Sequence, residues 1–556
     1  MRLRKFIGIG GLVILGIGIV TSAAFSQAKL LQGPPLNQIK QLKWEDRDII
    51  IRVRGTGYNI IENTTQETVK KWFETNNIWG PRLLYAVIYF HLTHPRVKVV
   101  GISWDMWGAE AGQRLMAGLA SGTAPAMYYY SSMGNIPTCV EKGVLADITD
   151  IVLTRHKDWW NAMPEYIRKN CMYKGRIWAL PNNQSSLYPG DVMRYRRDYF
   201  EEAGIFNEKG EPGPSYDWTW TDFREIAKKL TDPKKKRWGT VLEARGSRNT
   251  FEKICQTFGV PVLIPDKSGK YTWRAGFATP ETINTAFKLY HDLVFEDKSA
   301  LVSVEYDWIG TRNEYLSGRV GMFYFPFTHL VQRALTYPHR LDPVKLTIDI
   351  DGAAPWPKGP YGTRKMNESA FVTADIGFDP TLSKEQLEAV VDWHLFWRFG
   401  GGIYVNNLSR YLLQGSPEYG LADAIGPKDM LQLPGVPSMD EYMPKHYLRC
   451  KQFLHAQPIP PTRHNYNIAL LDSAGFLRAV HNAVQATITN PDWNKVVKAI
   501  ESAAKEANAT ALNNKPGTME DIKGYFTALD KYYKENFPTY YEKMFKSLWE
   551  KYYKVW

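Results

Sequence analysis

Residues 48 to 130 constrain the fold most, because three short runs rich in β-branched or aromatic residues alternate there with helical patterns. Asp48-Ile49-Ile50-Ile51-Arg52-Val53-Arg54 reads as a strand broken by Gly55-Thr56-Gly57. A helical pattern runs from about Thr65 through Trp72 and Phe73 and resumes from Leu83 to His91. Arg96 to Ile102 forms the second strand, an amphipathic helix covers roughly Ala109 to Ala120, and Ala126-Met127-Tyr128-Tyr129-Tyr130 forms the third strand. This spacing predicts βαβ units and a mainly parallel sheet, hence an α/β fold. Thr219 with Asp222 three residues on reads as a capping-box variant. Ser383 with Gln386 opens a second such helix, Lys384 to Phe399, ahead of Gly400-Gly401-Gly402. From about Asp472 onward the pattern is mostly helical.

The N-terminus predicts export. Arg2, Arg4 and Lys5 precede an apolar run from Phe6 to Val20, and small residues follow at Ala23, Ala24 and Ser26. That order is the signature of a signal peptide over residues 1–28, a retained anchor being the alternative. No cysteine precedes Cys139, so a lipid-modified cysteine at the junction is excluded, and the expected location is periplasmic or otherwise extracytoplasmic. The rest of the 556-residue chain is too long for one ordinary core and predicts two lobes. Four cysteines, Cys139, Cys171, Cys255 and Cys450, allow one or two disulfides without assigning them. Losing Arg2, Arg4 and Lys5 takes the formal charge from +12 to +9. The lysines are spread along helices, and Lys234-Lys235-Lys236-Arg237 after Asp232-Pro233 reads as a solvated turn, so nucleic acid is not an expected partner.

Five stretches, in order, carry a family resemblance. They are Phe90 to Val99, Ala120-Ser121-Gly122-Thr123-Ala124-Pro125-Ala126, and Glu141 to Thr149. Gly175 to Pro181 with Arg194 to Gly204, and Thr219 to Thr231, complete the set. In this order the chain resembles the extracellular solute-binding proteins of ATP-driven (ABC) importers, in the branch that includes maltose-binding protein. The usual Asp after the proline of the second stretch is Ala126 here. The resemblance covers roughly residues 47 to 400. It implies the periplasmic-binding-protein type II fold: two lobes, each a mainly parallel sheet flanked by helices, joined by a hinge. Lobe 1 would hold residues 47–181 with 351–400, and lobe 2 residues 182–350 with 401–556. It also implies a monomer that closes on a small ligand, expected to be an oligosaccharide, and hands it to permease subunits.

Ligands of open α/β sheets sit beyond the carboxyl ends of strands. Four loops are placed there. Gly57 and Tyr58 follow the first strand, and Ser131 and Ser132 follow the third. Asn182, Asn183, Gln184 and Ser185 follow Leu180-Pro181 and form the most site-like run. The fourth loop holds Phe325, Phe327 and Thr328, where the resemblance implies an aromatic that stacks on the ligand. Asn367 is a further candidate, and Trp356 reads as a hinge-packing residue. Neither a cofactor nor a metal is expected. Gly55-Thr56-Gly57 lacks the rest of a dinucleotide fingerprint, and His91-x-x-His94 lacks the intervening Glu of a zinc protease. The competing function, a secreted carbohydrate-active hydrolase, needs a carboxylate pair that no local pattern supplies.

Overall fold

The computed structural model describes residues 46–55, 57–65, 67–68, 71, 87, 90–91, 94–105, 111–130, 136–182, 191–244, 248–267, 273–326, 350–364, 376–400, 444–458, 461, 474–510 and 519–554. The proposed signal, residues 1–28, lies outside them. The strands are β1 (Ile49–Arg54), β2 (Val97–Ile102), β3 (Met127–Tyr129), β4 (Met172–Tyr173), β5 (Arg176–Ile177), β6 (Asp191–Arg196) and β7 (Trp238–Val241). After them come β8 (Leu263–Pro265), β9 (Trp273–Ala275), β10 (Ala300–Leu301), β11 (Val320–Pro326), β12 (Asp351–Ala354) and β13 (Ile376–Phe378).

The first two strands form as their alternation predicts. β1 buries Ile51 and Val53 and exposes Ile50, Arg52 and Arg54, and it pairs in parallel with β2 from Ile49–Val97 to Arg54–Ile102. Ala126 N–H donates to the Arg52 carbonyl at 2.7 Å, setting β3 beside β1, and β13 pairs antiparallel with β3. A second sheet has the order β10-β7-β11-β6-β12. Its β10–β7 and β7–β11 pairs are parallel, while β6 is antiparallel to both β11 and β12, so this sheet is mixed.

Two large cores organise the molecule. One gathers Ile51, Val53, Val99, Leu115, Ile136, Trp160, Leu180, Val390 and Trp393. The other gathers Phe223, Phe251, Trp273, Phe287, Met322 and the apolar faces of the C-terminal helices. β6 and β12 serve both. Val192 and Ala353 belong to the first core, whereas their neighbours Met193 and Ala354 belong to the second. That is the two-residue period of a strand placed between two apolar bodies. Tyr447 and Cys450, in the helix Lys445–His455, pack in the first core, so the chain beyond 401 divides between the two.

The C-terminal aromatics are interior. Tyr525, Phe526, Tyr533, Tyr540, Phe545 and Tyr553 all join the second core, and Tyr540 hydrogen-bonds the Gly259 carbonyl at 2.5 Å. All four cysteines are free thiols and buried, so the possible disulfides do not form. Apolar burial pushes their pKa values up and removes their thiolate reactivity.

Both capping boxes are present. Thr219 and Asp222 exchange bonds at the start of Trp220–Leu230, and Ser383 and Gln386 do so at the start of Lys384–Leu395. Ser383→Ala removes an acceptor for an otherwise orphaned N–H and is expected to cost about 1 kcal/mol, read from urea unfolding. The basic run after Asp232-Pro233 is a single helical turn held by the Asp232 carboxylate. Its last residue corrects the solvated-turn reading: Arg237 is buried, pairs with Glu202 at 2.6 Å and lies over the Tyr199 ring.

His91 and His94 hold no metal arrangement. His91 meets the Val87 carbonyl through Nδ1 at 2.6 Å and accepts from Val99 N–H through Nε2 at 3.0 Å, and burial pushes its pKa down to about 3. Both partners are satisfied by the neutral ring. Among the described residues no group of His, Cys, Asp and Glu is arranged to hold a metal ion.

Candidate functional site

The carboxyl ends of the strands in each core present a set of polar groups. Around the first core, the turn after β1 folds back over β2. A side chain at Gly57 would meet Gly101 N at 2.5 Å and Val99 O at 2.6 Å, so this buried glycine exists for close backbone packing. Tyr58 is half-buried beneath Lys98, whose Nζ lies 4.4 Å from the ring centre, and it meets His91 edge-on. Asn59 bonds both the N–H and the carbonyl of Gly101 at 2.8 Å. This turn is therefore committed to β2.

Asn182 stands differently. Leu180 is bridged to Ile376 by a reciprocal backbone pair at 3.0 and 3.2 Å, which fixes the Leu180-Pro181-Asn182 exit. The Asn182 Oδ1 is buried and has no hydrogen-bond partner among the described residues. Nearby, Arg54 ends β1, is exposed, and donates through Nε to the Trp104 carbonyl at 2.9 Å. Arg398, at the end of the helix that begins at Lys384, has a buried Nε with no partner among the described residues.

Around the second core, β7 leads directly to Glu243, which is only 2% exposed. Its Oε2 accepts from Thr250 at 2.6 Å and from the Tyr324 hydroxyl. Burial pushes its pKa up to about 8, so at neutral pH the group is a carboxylic acid. With Oε2 accepting twice, the proton belongs on Oε1. Tyr324, on β11, tilts against Trp356 with ring centres 5.7 Å apart, and Lys253 Nζ lies 5.6 Å from its own ring centre. Fully buried Tyr290 is electrostatically coupled to Glu243, and its hydroxyl has no partner. A raised carboxyl of this kind is half of a glycosidase pair. The other carboxylate acting on it, Asp307, is occupied capping the helix Trp308–Leu316.

Of the residues expected from sequence, Gly57, Tyr58, Asn182 and Phe325 are described, and of these Asn182 offers a buried group without a partner among the described residues. Phe325 lies in β11 opposite Val192, placed by its backbone alone. Ser131, Ser132, Asn183, Gln184, Ser185, Phe327, Thr328 and Asn367 lie outside the described residues. Sequence reasoning missed Arg54, Glu243, Tyr324 and Arg398. Tyr324 carried a usable signal, because it stands one step from Phe323 and strand alternation sends neighbours to opposite faces. Phe323 fills a small core with Val241, Tyr315 and Val320, while Tyr324 turns toward Glu243 and Trp356.

A separate cavity of about 80 Å³ lies in the second core between the β8–β9 hairpin and the C-terminal helices. Trp273, Tyr525, Tyr533 and Tyr540 wall it, so it is not part of either strand-end set.

Known solved structures share the architecture at low identity. A solute-binding protein from Agrobacterium radiobacter K84, in complex with ribitol, is 16% identical with a TM-score of 0.50, covering 84% of this chain and 99% of its own. A substrate-binding protein from Listeria monocytogenes in complex with cycloalternan is 18% identical with a TM-score of 0.48, covering 78% and 96%. The maltose-bound MalE3 of T. maritima is 18% identical with a TM-score of 0.47, covering 82% and 98%. No curated protein sequence gives a significant match. The family model described as bacterial extracellular solute-binding protein matches residues 82–378, more than half of the chain. The chain therefore belongs to the bacterial extracellular solute-binding protein family and has its two-lobed α/β fold.

Proposed function

We propose that the protein binds a carbohydrate outside the cytoplasm and delivers it to the permease of an ABC importer, without chemically changing it. The supporting observation is that each core carries, near its strand carboxyl ends, a buried polar group unlike the apolar packing around it. On one side Asn182 Oδ1 is an acceptor without a donor among the described residues, and on the other the Glu243 carboxylic acid accepts from the hydroxyl of Tyr324, whose ring tilts against Trp356. Donors and acceptors beside flat apolar faces suit a sugar, whose rings carry hydroxyls at the rim and C–H bonds on the faces. Residues 47–181 with 351–400 would form one lobe, joined by the helix Lys445–His455. The remaining chain would form the second, and β6 and β12 would act as the crossings on which the lobes close. Residues 1–28 would direct export and be removed, leaving a monomer. Among the described residues no helix is long and apolar enough to cross a membrane.

A thermal-shift screen of the purified protein against neutral and acidic oligosaccharides, peptides and polyamines tests this reading. A ligand present at a thousand times its Kd stabilises by about 4 kcal/mol, a shift of several degrees. Stabilisation by peptides or polyamines alone would overturn the sugar assignment, and turnover of a bound sugar would overturn the absence of catalysis.

A further inference from the structure

Two arginines converge on the strand ends of the first core, with no carboxylate among the described residues to neutralise them. The helix that starts at Lys384 runs alongside β1. At its start, Gln386 donates to the Ile50 carbonyl at 3.0 Å. Twelve residues of helix advance about 18 Å, so Arg398 reaches past the end of β1, where Arg54 stands roughly 13 Å beyond Ile50. One turn earlier His394 meets the Pro181 carbonyl at 2.8 Å, which places the same end of the helix beside Asn182. Arg398 and Asn182 each keep a buried polar atom without a partner among the described residues. Such atoms are rare in native proteins and demand an explanation. The charged and polar groups acting on Arg398 are the Tyr129 phenol and the Arg54 guanidinium. Asp105, the acid next to Trp104, is taken by Arg114 at 3.0 Å. Beyond its Nε bond to Trp104, Arg54 has no partner among the described residues for its terminal nitrogens.

We propose that Arg54 and Arg398 receive an oxyanion of the ligand, so that the transported solute is a sugar carrying a carboxylate or a phosphate, with Asn182 taking a hydroxyl of the same molecule. This inference rests on the carbohydrate reading and narrows it. A guanidinium presents a planar fork of N–H donors that matches a carboxylate or phosphate edge, and two of them at one strand end form an anion seat.

Isothermal titration of the purified protein with matched probes decides it. The pairs are trigalacturonate against galactotriose and glucose 6-phosphate against glucose, with citrate and inorganic phosphate as anions that are not sugars. At least one acidic sugar is expected to bind tenfold or more tightly than its neutral partner, and added NaCl should shrink that advantage. Which pair shows it separates the carboxylate from the phosphate. Arg398→Gln and Arg54→Gln should each weaken the acidic probe about 10- to 100-fold and leave the neutral one nearly unchanged, with partial recovery in Arg398→Lys. Equal or tighter binding of the neutral sugars, or no binding of any anionic probe, citrate and phosphate included, overturns the anion seat, while any neutral-sugar binding keeps the carbohydrate reading. Binding of citrate or phosphate with no sugar bound keeps the seat and overturns the carbohydrate reading. The wild-type comparison needs no variant, so a misfolded substitution cannot mask the answer.

Discussion

Asp351→Leu is expected to lower unfolding free energy by about 3–5 kcal/mol, because it strands a buried guanidinium. Asp351 on β12 and Arg194 on β6 lie diagonally across the antiparallel pair, Arg196 being directly opposite Asp351, and are 2% and 0% exposed. The Arg194 side chain reaches both carboxylate oxygens, and its guanidinium lies over the Tyr447 ring at 4.8 Å. Tyr315 donates to Asp351 at 2.6 Å, Tyr447 donates to its other oxygen, and His446 meets its backbone carbonyl at 2.9 Å. The single change leaves one cation and two hydroxyls without their acceptor. Arg194→Met with Asp351→Leu removes the ion pair entirely and should recover much of the loss, the two tyrosine hydroxyls accounting for the remainder. Urea unfolding of the three variants measures this. A single-variant cost below about 1 kcal/mol would show that the pair is solvated rather than buried. The network joins the two strands shared by both cores to a helix far along the chain, so it fixes the geometry of the proposed crossings.

That network marks where the sequence stopped being informative. The capping boxes at Thr219 and Ser383 were legible because each is a contact between residues three apart. The runs at 49–54 and 97–102 were legible because their alternation matches one buried face. Arg194 was not. Its charge favours a surface reading, and its burial depends on Asp351, 157 positions away, with nothing local to announce the pairing. Arg237 misled for the same reason, since Glu202 and Tyr199 reach it from another element. Asn182 could be picked out because a polar run after Leu-Pro is conspicuous. Glu243 and Arg398 could not, because the burial of a charged side chain is a property of assembled strand ends and leaves no trace in composition. The antiparallel turn of β6 and β12 within a sheet expected to be mainly parallel has the same origin: both strands are short, and their register is set by cores on either side.

Glu243 should make the protein lose stability as pH rises from about 4.5 to about 8. Its carboxyl is pushed up to about 8 by burial, against 4.5 for an ordinary glutamate. Below the lower value the folded and unfolded chains both hold the proton, and the stabilisation from its raised affinity is fully present. Between the two values the unfolded chain releases its proton while the folded chain keeps it, so each pH unit removes about 1.4 kcal/mol. Above the higher value both are ionised and the loss levels off. Over the whole window this one group accounts for about 3–5 kcal/mol. Glu243→Gln keeps an acceptor for Thr250 and Tyr324 and cannot ionise. Its unfolding free energy should therefore overtake wild type progressively between pH 5 and pH 8.5, with the variant-minus-wild-type difference isolating Glu243 from every other titrating group. A difference that stays flat within about 1 kcal/mol would mean that the carboxyl is already ionised at neutral pH. The same carboxyl is the one bonded to Tyr324, so the proposed sugar affinity in wild type should fall over the upper part of this window and be pH-independent there in Glu243→Gln. Parallel titrations of stability and binding would then report one ionisation through two observables.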